Sequence, residues 1–464
     1  MKKKSLASLT LLYAVGNLSS KVMSFVLVFF VTFYLTTQEL GEFDLLLIAI
    51  NLLTPFVSFQ LSDSALRWLL NDQSVENISK IFSTISVIIL ISLLCFSIII
   101  FLYNYFIPTN NILYIYILVF LQSFNLFFLQ CIRGKGDNKS YVLNGVINTG
   151  LYIGLGIFFL TVIKLKIVGL IYANIIALFI STLILLFGNG LYKYYDNEKI
   201  SLVFAKDLLR YSLPLVPNSL NWWAISSANR YIILLYLGAA ANGVFAIAYK
   251  LPSILIIFVN IFFLAWQERA ITTHQDDDRN TYYKVVLDKY IRILFSISIL
   301  IVSLNKILLS RIVSEEFFSA WEYTPVLLLS VIFSSLASFY GAGYLTSKKT
   351  SGAFFSSVFG GVVTVGSSFI LIPQFGLHGS GLAICIGYFT VMMIRLYHTK
   401  NIFTFKFPMK SFLRYLILFV FTSILNYFNF TIVTANLFFV ITLLLIINKD
   451  LLLKSIMYLK SLTS

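Results

Sequence analysis

Long uninterrupted apolar runs constrain this chain more than any other feature. About fourteen stand out, at 9–35, 43–66, 78–103, 112–132, 140–163, 167–188, 211–237, 240–266, 290–312, 323–345, 351–372, 376–398, 411–428 and 431–448. An α-helix rises about 1.5 Å per residue, so roughly twenty apolar residues cross a hydrocarbon core of about 30 Å. Within lipid every backbone amide must be satisfied by the protein itself, which leaves helices or closed barrels. Barrel strands alternate apolar and polar residues, and these runs do not. An all-α integral membrane protein is expected. Composition agrees: 59% of the 464 residues are hydrophobic and 11% are charged, against about 45–50% and about 25% in soluble domains. The opening MKKK resembles a secretory leader. The run behind it is too long, holds Lys21 and lacks a small-x-small cleavage site, so a retained first span is expected.

A net charge of +15 suggests nucleic acid until the charges are placed. With the N-terminus inside, only Lys164, Lys166, Lys306 and Arg311 fall on the outer side, and Lys21, Arg230 and Lys250 fall within the membrane. The rest of the 34 Lys and Arg flank inner ends of spans. This is the positive-inside bias, and a missed span would invert half the loops and erase it. The expectation is a cytoplasmic-membrane protein with both termini cytoplasmic and no nucleic-acid partner.

The chain repeats itself weakly. YLTTQELGEF (34–43) matches YLGAAANGVF (236–245) at Tyr-Leu and Gly-x-Phe, and IVGLIYA (167–173) matches LHGSGLA (377–383) at Gly and Ala. The offsets, 202 and 210 residues, are close. Spans 1–6 and 7–12 therefore read as two six-helix lobes, 1–195 and 196–400. Spans 13–14 and an inner tail make up 401–464. Copies with an even number of spans enter the membrane from one side, which implies a pseudo-twofold axis along its normal and a path between the halves.

The most informative stretch runs from Tyr211 to Glu268, where two spans flank the turn LGAAANG. Arg230 lies about seven residues before that turn and Lys250 about ten after the start of the second span, so both are expected about 10–15 Å inside the helix ends. A cation at such depth costs about 2.5–3.5 kcal/mol on insertion scales, so it should face a polar cavity and an anion. In the first span, Asn17, Lys21 and Ser24 share one helix face. Ser219, Trp223, Ser226 or Ser227, and Arg230 form a second stripe, with Asn218, Asn221 and Asn229 beside it. Asn242, Ala246, Lys250 and Ser253 form a third. The expected site is a cationic cavity with Lys21, Arg230 and Lys250 as anion-binding groups. Its polar lining would be Asn17, Ser24, Asn218, Asn221, Ser226, Asn229, Asn242 and Ser253. The competing reading gives each cation an internal carboxylate, for which Asp44, Asp63 and Glu268 are the candidates. Trp222, Trp223 and Tyr231 could stack on sugars, although aromatics near an interface commonly anchor it. Pro214, Pro217, Pro252 and Pro373 mark bending points.

No catalytic constellation emerges, and no cofactor or metal is implied. RGKGDNKS (133–140) lacks the spacing of a phosphate-binding loop and reads as a basic inner loop. HQDDDRN (274–280) lies in the longest inner segment, Gln267 to Lys289, and reads as a solvated face. Cys95, Cys131 and Cys385 are expected as buried thiols, and His274, His378 and His398 have no ligand spacing. Without a nucleotide motif, movement of a cargo must draw on an ion gradient, the membrane potential or cargo supply.

LLRYSLPLVPNSLNWWAISSANRYII, LGAAANGVFAIAYKLPSIL and FFLAWQE resemble the bacterial polysaccharide-transport (Wzx-type) flippases of the multidrug/oligosaccharidyl-lipid/polysaccharide (MOP) superfamily. SSFILIPQFGLHGSGLAICIGYF, GNLSSK and ELGEFDLLLIAI resemble them too. The resemblance implies turning an undecaprenyl-pyrophosphate-linked oligosaccharide from the inner to the outer leaflet, for O-antigen, capsule or lipopolysaccharide-type assembly. It also implies alternating access, H+ or Na+ as a coupling ion, glycan-assembly proteins as partners and no enzymatic step. Asn229 stands where the resemblance leads one to expect Asp, so Arg230 lacks an adjacent acid. The rivals are a drug/cation antiporter of the same superfamily, which should carry acids at mid-membrane, and a membrane glycan polymerase, which should carry a large outer loop.

Overall fold

The computed structural model describes residues 19, 23–108, 111–272, 279–346, 351–428 and 430–449. They are helical, as expected. In chain order the helices are α1 (Met23–Tyr34), α2 (Thr37–Val57), α3 (Leu61–Asn71), α4 (Val75–Phe106), α5 (Ile112–Gly134), α6 (Asn138–Thr161), α7 (Lys166–Leu183), α8 (Leu202–Ser212) and α9 (Leu215–Ser226). There follow α10 (Asn229–Ala248), α11 (Lys250–Thr272), α12 (Arg279–Ile312), α13 (Ala320–Thr346), α14 (Ser351–His398), α15 (Met409–Leu425) and α16 (Phe430–Ile447). Among the described residues, eleven continuous runs are long and apolar enough to span a membrane. Two of these are double, because Gly238 (φ 82°) breaks α10 and Gly376 (φ 58°) breaks α14. Positive φ is where glycine pays no Cβ penalty. With both split, with the second half of α10 and α11 taken together as the one span expected at 240–266, and with α1 and α15 added, each of the fourteen expected spans has a counterpart among the described residues.

Local chemistry sets the boundaries. Thr36 caps α2 in a reciprocal capping box with Glu39, and Ser74, Asp137 and Ser201 cap α4, α6 and α8. Asp137 with Gly136 (φ 82°) accounts for the RGKGDNKS turn without any ligand. Three expectations need correction. The turn after Leu237 is confined to Gly238, and the alanines behind it are already helical. The span expected at 43–66 divides at residues 58–60, where Phe59 and Gln60 take positive φ. The inner segment expected over 267–289 is largely helix, since α11 runs to Thr272 and α12 starts at Arg279. The acidic part of HQDDDRN lies outside the described residues.

The chain forms two compact units, Met1–Gly243 and Val244–Ser464, divided within α10. In the first, α5 packs on α2, α3, α4, α6 and α7. Phe82 stacks on Phe127 and Phe128 at 5.6 and 5.5 Å. A buried polar knot ties α5, α6 and α7: Asn125 donates to Ser181 and Thr182, and the Ser181 hydroxyl donates to Asn144. The outer face of α4 is a stripe of Ile91, Leu94, Ile98 and Leu102, as lipid contact requires. Cys95 lies exposed on α4 and departs from the buried expectation, whereas Cys131 and Cys385 are buried.

In the second unit α13 packs on α11, α12 and α14, and α12 carries α15 and α16. Trp266 stacks on Phe339 at 4.0 Å and donates to its carbonyl, while Phe262 stacks on Tyr290 at 3.7 Å. Lys306 donates to the carbonyls of Asn426 and Phe428, so a cation closes the negative end of α15.

Candidate functional site

The site is built where the two copies of the decapeptide repeat meet. A Cβ on Gly41 would lie 1.8 Å from the Ala239 carbonyl oxygen, and one on Gly243 would lie 2.0 Å from that of Thr37. Gly41 and Gly243, like Thr37 and Ala239, stand 202 residues apart. The two contacts therefore exchange roles, as a local twofold relation demands. Only residues without a side chain permit this backbone-to-backbone crossing of α2 and α10.

About one turn deeper along α2 comes the charged layer. Arg230 Nη1 lies 3.0 Å from Asp44 Oδ2 and 3.4 Å from Asn242 Oδ1. Asn242 Nδ2 donates to the Gly41 carbonyl at 3.1 Å and to Asp44 Oδ2 at 3.2 Å. The Arg230 side chain is 7% exposed and that of Asp44 23%. Arg230 is eight residues before Gly238 and Asp44 eight after Thr36, so each lies about 12 Å from its helix end. The guanidinium that lacks an acid beside it in sequence thus receives one from α2.

The other expected residues are placed as follows. Lys21 and Asn17 lie outside the described residues. Ser24 is half-buried on α1. Asn218 and Asn221 are half-buried on α9, and Asn221 Nδ2 is a buried donor with no protein acceptor among the described residues. Ser226 donates back to the Trp222 carbonyl at 2.8 Å and lies 3.1 Å from Ser227. Asn229 is fully buried at the start of α10. Lys250 is exposed at the start of α11, and Ser253 donates to its carbonyl. The stripe Ser219–Trp223–Ser226–Arg230 is not one continuous helix, because the chain breaks at 227–228. Ser219 bonds Gln60, and Trp223 donates its indole N–H to the Ile48 carbonyl at 3.2 Å, so both fasten α9 to the α2–α3 segment. Among the described residues no cluster of three or more His, Cys, Asp or Glu gathers.

Sequence reasoning missed Arg395, which charge counting treats as an inner flanking cation. It is buried near the end of α14, and its acceptors among the described residues are neutral: Ser356 (3.0 Å), Ser357 (3.1 Å) and the Ala337 carbonyl (3.1 Å). Gly341 leaves it room, since a Cβ there would lie 2.7 Å from Nη1. The fork thus ties α13 to both halves of α14. Arg395→Lys keeps the charge but cannot reach three directions, and at about 1.5 kcal/mol or more for each hydrogen bond from a charged donor it should cost about 2–4 kcal/mol. The expected result is a melting midpoint several degrees lower in detergent, with helicity at 20 °C intact.

A multi-pass helical bundle of this kind is shared with solved transporters. The fold is similar to an inward-facing multidrug-resistance MATE family transporter of the MOP superfamily, at TM-score 0.67 and 17% identity over 84% of this chain and 98% of that one. An outward-facing MATE transporter gives TM-score 0.58 at 18% identity, covering 85% and 94%. A MOP transporter from Pyrococcus furiosus, whose binding pocket is described as of reverse polarity, gives the same values. No curated protein matches the sequence. The sequence model of the family described as polysaccharide biosynthesis protein matches residues 6–266, more than half of the chain, and the chain belongs to that family.

Proposed function

We propose that this protein moves an undecaprenyl-pyrophosphate-linked oligosaccharide from the inner to the outer leaflet of the cytoplasmic membrane, for O-antigen- or capsule-type assembly. The observation that carries the reading is the polysaccharide biosynthesis match over 6–266, the stretch holding Arg230 and Lys250 within apolar spans. A pyrophosphate headgroup needs cations held away from lipid. Lys21, Arg230 and Lys250 are assigned to that task, with Asn17, Ser24, Asn218, Asn221, Ser226, Asn229, Asn242 and Ser253 as polar lining. The two lobes, 1–195 and 196–400, would alternate around the cargo, with 401–464 as an addition to the second. An H+ or Na+ gradient is the proposed drive, glycan-assembly proteins the proposed partners, and both termini are assigned to the cytoplasm. No enzymatic step is required.

The test is deletion of the gene in its host, followed by a sugar label that reaches only the outer leaflet. Completed repeat units should accumulate on the inner leaflet and return to the outer one when the intact chain is restored. Repeat units that reach the outer leaflet but stay unpolymerised would place the protein after flipping. Unchanged glycan with lost resistance to cationic drugs would favour the antiporter rival. Lys250 is exposed, so Lys250→Gln should cut glycan export at least tenfold while leaving the protein as abundant as the parent on immunoblots.

A further inference from the structure

Arg230 already holds an anion. Its guanidinium is paired with Asp44, and Asn242 bonds both Asp44 and the Gly41 carbonyl. The closure has two layers: the glycine crossing of α2 on α10, then this charged knot. By the charge distribution, both lie at the outer ends of their helices.

We infer that Asp44 is the resident counter-ion of Arg230, displaced when a phosphate or pyrophosphate on the cargo reaches the guanidinium, and that this exchange unfastens α2 from α10. The inference rests on the anionic-cargo reading above. A desolvated guanidinium requires an acceptor in every state of the protein. When α2 carries Asp44 away, Arg230 loses its carboxylate, and an anion on the cargo can take that place. A phosphate offers more acceptor oxygens than one carboxylate and suits the planar fork. A ligand shifts a conformational equilibrium only by its difference in affinity for the two states. An anion that binds Arg230 only after Asp44 leaves has such a difference, and a neutral or cationic cargo has none.

The test uses Ile48, one turn deeper than Asp44 on the same face of α2 and 8% exposed. Ile48→Cys is placed in the full chain with Cys95, Cys131 and Cys385 replaced by serine. Right-side-out membrane vesicles are loaded with inorganic pyrophosphate, or with chloride at equal ionic strength, and treated outside with a membrane-impermeant maleimide. Labelling of the parent should be slow with chloride and several-fold faster with pyrophosphate. Asp44→Asn should label at least tenfold faster than the parent with either salt, and Arg230→Gln should lose the pyrophosphate response. The double variant Asp44→Asn/Arg230→Gln leaves no unpaired charge to disturb folding, and it too should label fast with either salt. Slow labelling of both Asp44→Asn and the double variant would show that the pair closes nothing. Fast labelling of those variants with a parent indifferent to pyrophosphate would overturn the exchange. The readout involves no glycan. Glycan export that is unchanged by deletion of the gene, beside the expected labelling, would therefore remove the oligosaccharide reading and leave the exchange standing.

Discussion

Replacing Gly41 by alanine is expected to remove most of the folded protein. The new Cβ would lie 1.8 Å from the Ala239 carbonyl oxygen, 2.7 Å from its carbon and 3.0 Å from the Gly243 nitrogen, all backbone atoms. No rotamer relieves such a contact, so α2 and α10 must part by more than about 1 Å. The Asn242 bond to Gly41 (3.1 Å) and the ion pair behind it (3.0 Å) would then stretch beyond useful length. Overpacking alone costs about 1–3 kcal/mol, and loosening the charged knot adds to it, so about 3–5 kcal/mol is expected. Gly243→Ala should behave alike, because its Cβ meets the Thr37 oxygen at 2.0 Å. Gly145→Ala and Gly154→Ala are the controls. Nothing lies within 4 Å of a Cβ at either, and alanine in a helix interior gains up to about 1 kcal/mol over glycine. The measurement is the monodisperse fraction on size exclusion, with the melting midpoint. Parental values for Gly41→Ala would show that the helices do not cross so closely.

The fourteen spans were legible because lipid imposes a length and forbids unpaired backbone, and both demands are written directly in composition. Gly238 was legible as part of a turn for the same reason that it works, the cost of positive φ to other residues, whereas Gly376 was read as the first residue of a span. The break at 227–228 was not legible. It contains neither glycine nor proline, and Ser226 bonding back to Trp222 gives only a weak sequence signal. The repeat located the crossing without predicting it, since matched glycines mark close approach only once the partner backbone is known. Asp44 could be named as one of three carboxylates, but choosing it required knowing that α2 crosses α10 at Gly41 and Gly243. Arg395 was hidden because a cation at an inner helix end looks the same in sequence whether it snorkels to water or turns inward.

Neutralising Arg230 separates the two jobs assigned to it. Arg230→Gln is expected to lower glycan export at least tenfold, and also to lower abundance, because Asp44 loses its cation. Removing one partner of a fully buried pair costs about 3–5 kcal/mol. Asp44 is 23% exposed, so screening by water reduces that to about 1–3 kcal/mol. Asp44→Asn/Arg230→Gln removes the orphaned charge and should return abundance to near the parent. Export should not return, since no cation remains to meet a pyrophosphate. Arg230→Lys keeps the charge but loses the planar fork, and an intermediate export rate is expected. Immunoblotting measures abundance, and outer-leaflet sugar labelling measures export in the same cells. If the double variant recovers export together with abundance, Arg230 serves only to hold α2 against α10, and the anion-binding role passes to Lys21 and Lys250. If abundance returns alone, the guanidinium is needed for the cargo itself, and its pairing with Asp44 is the resting state of a binding group.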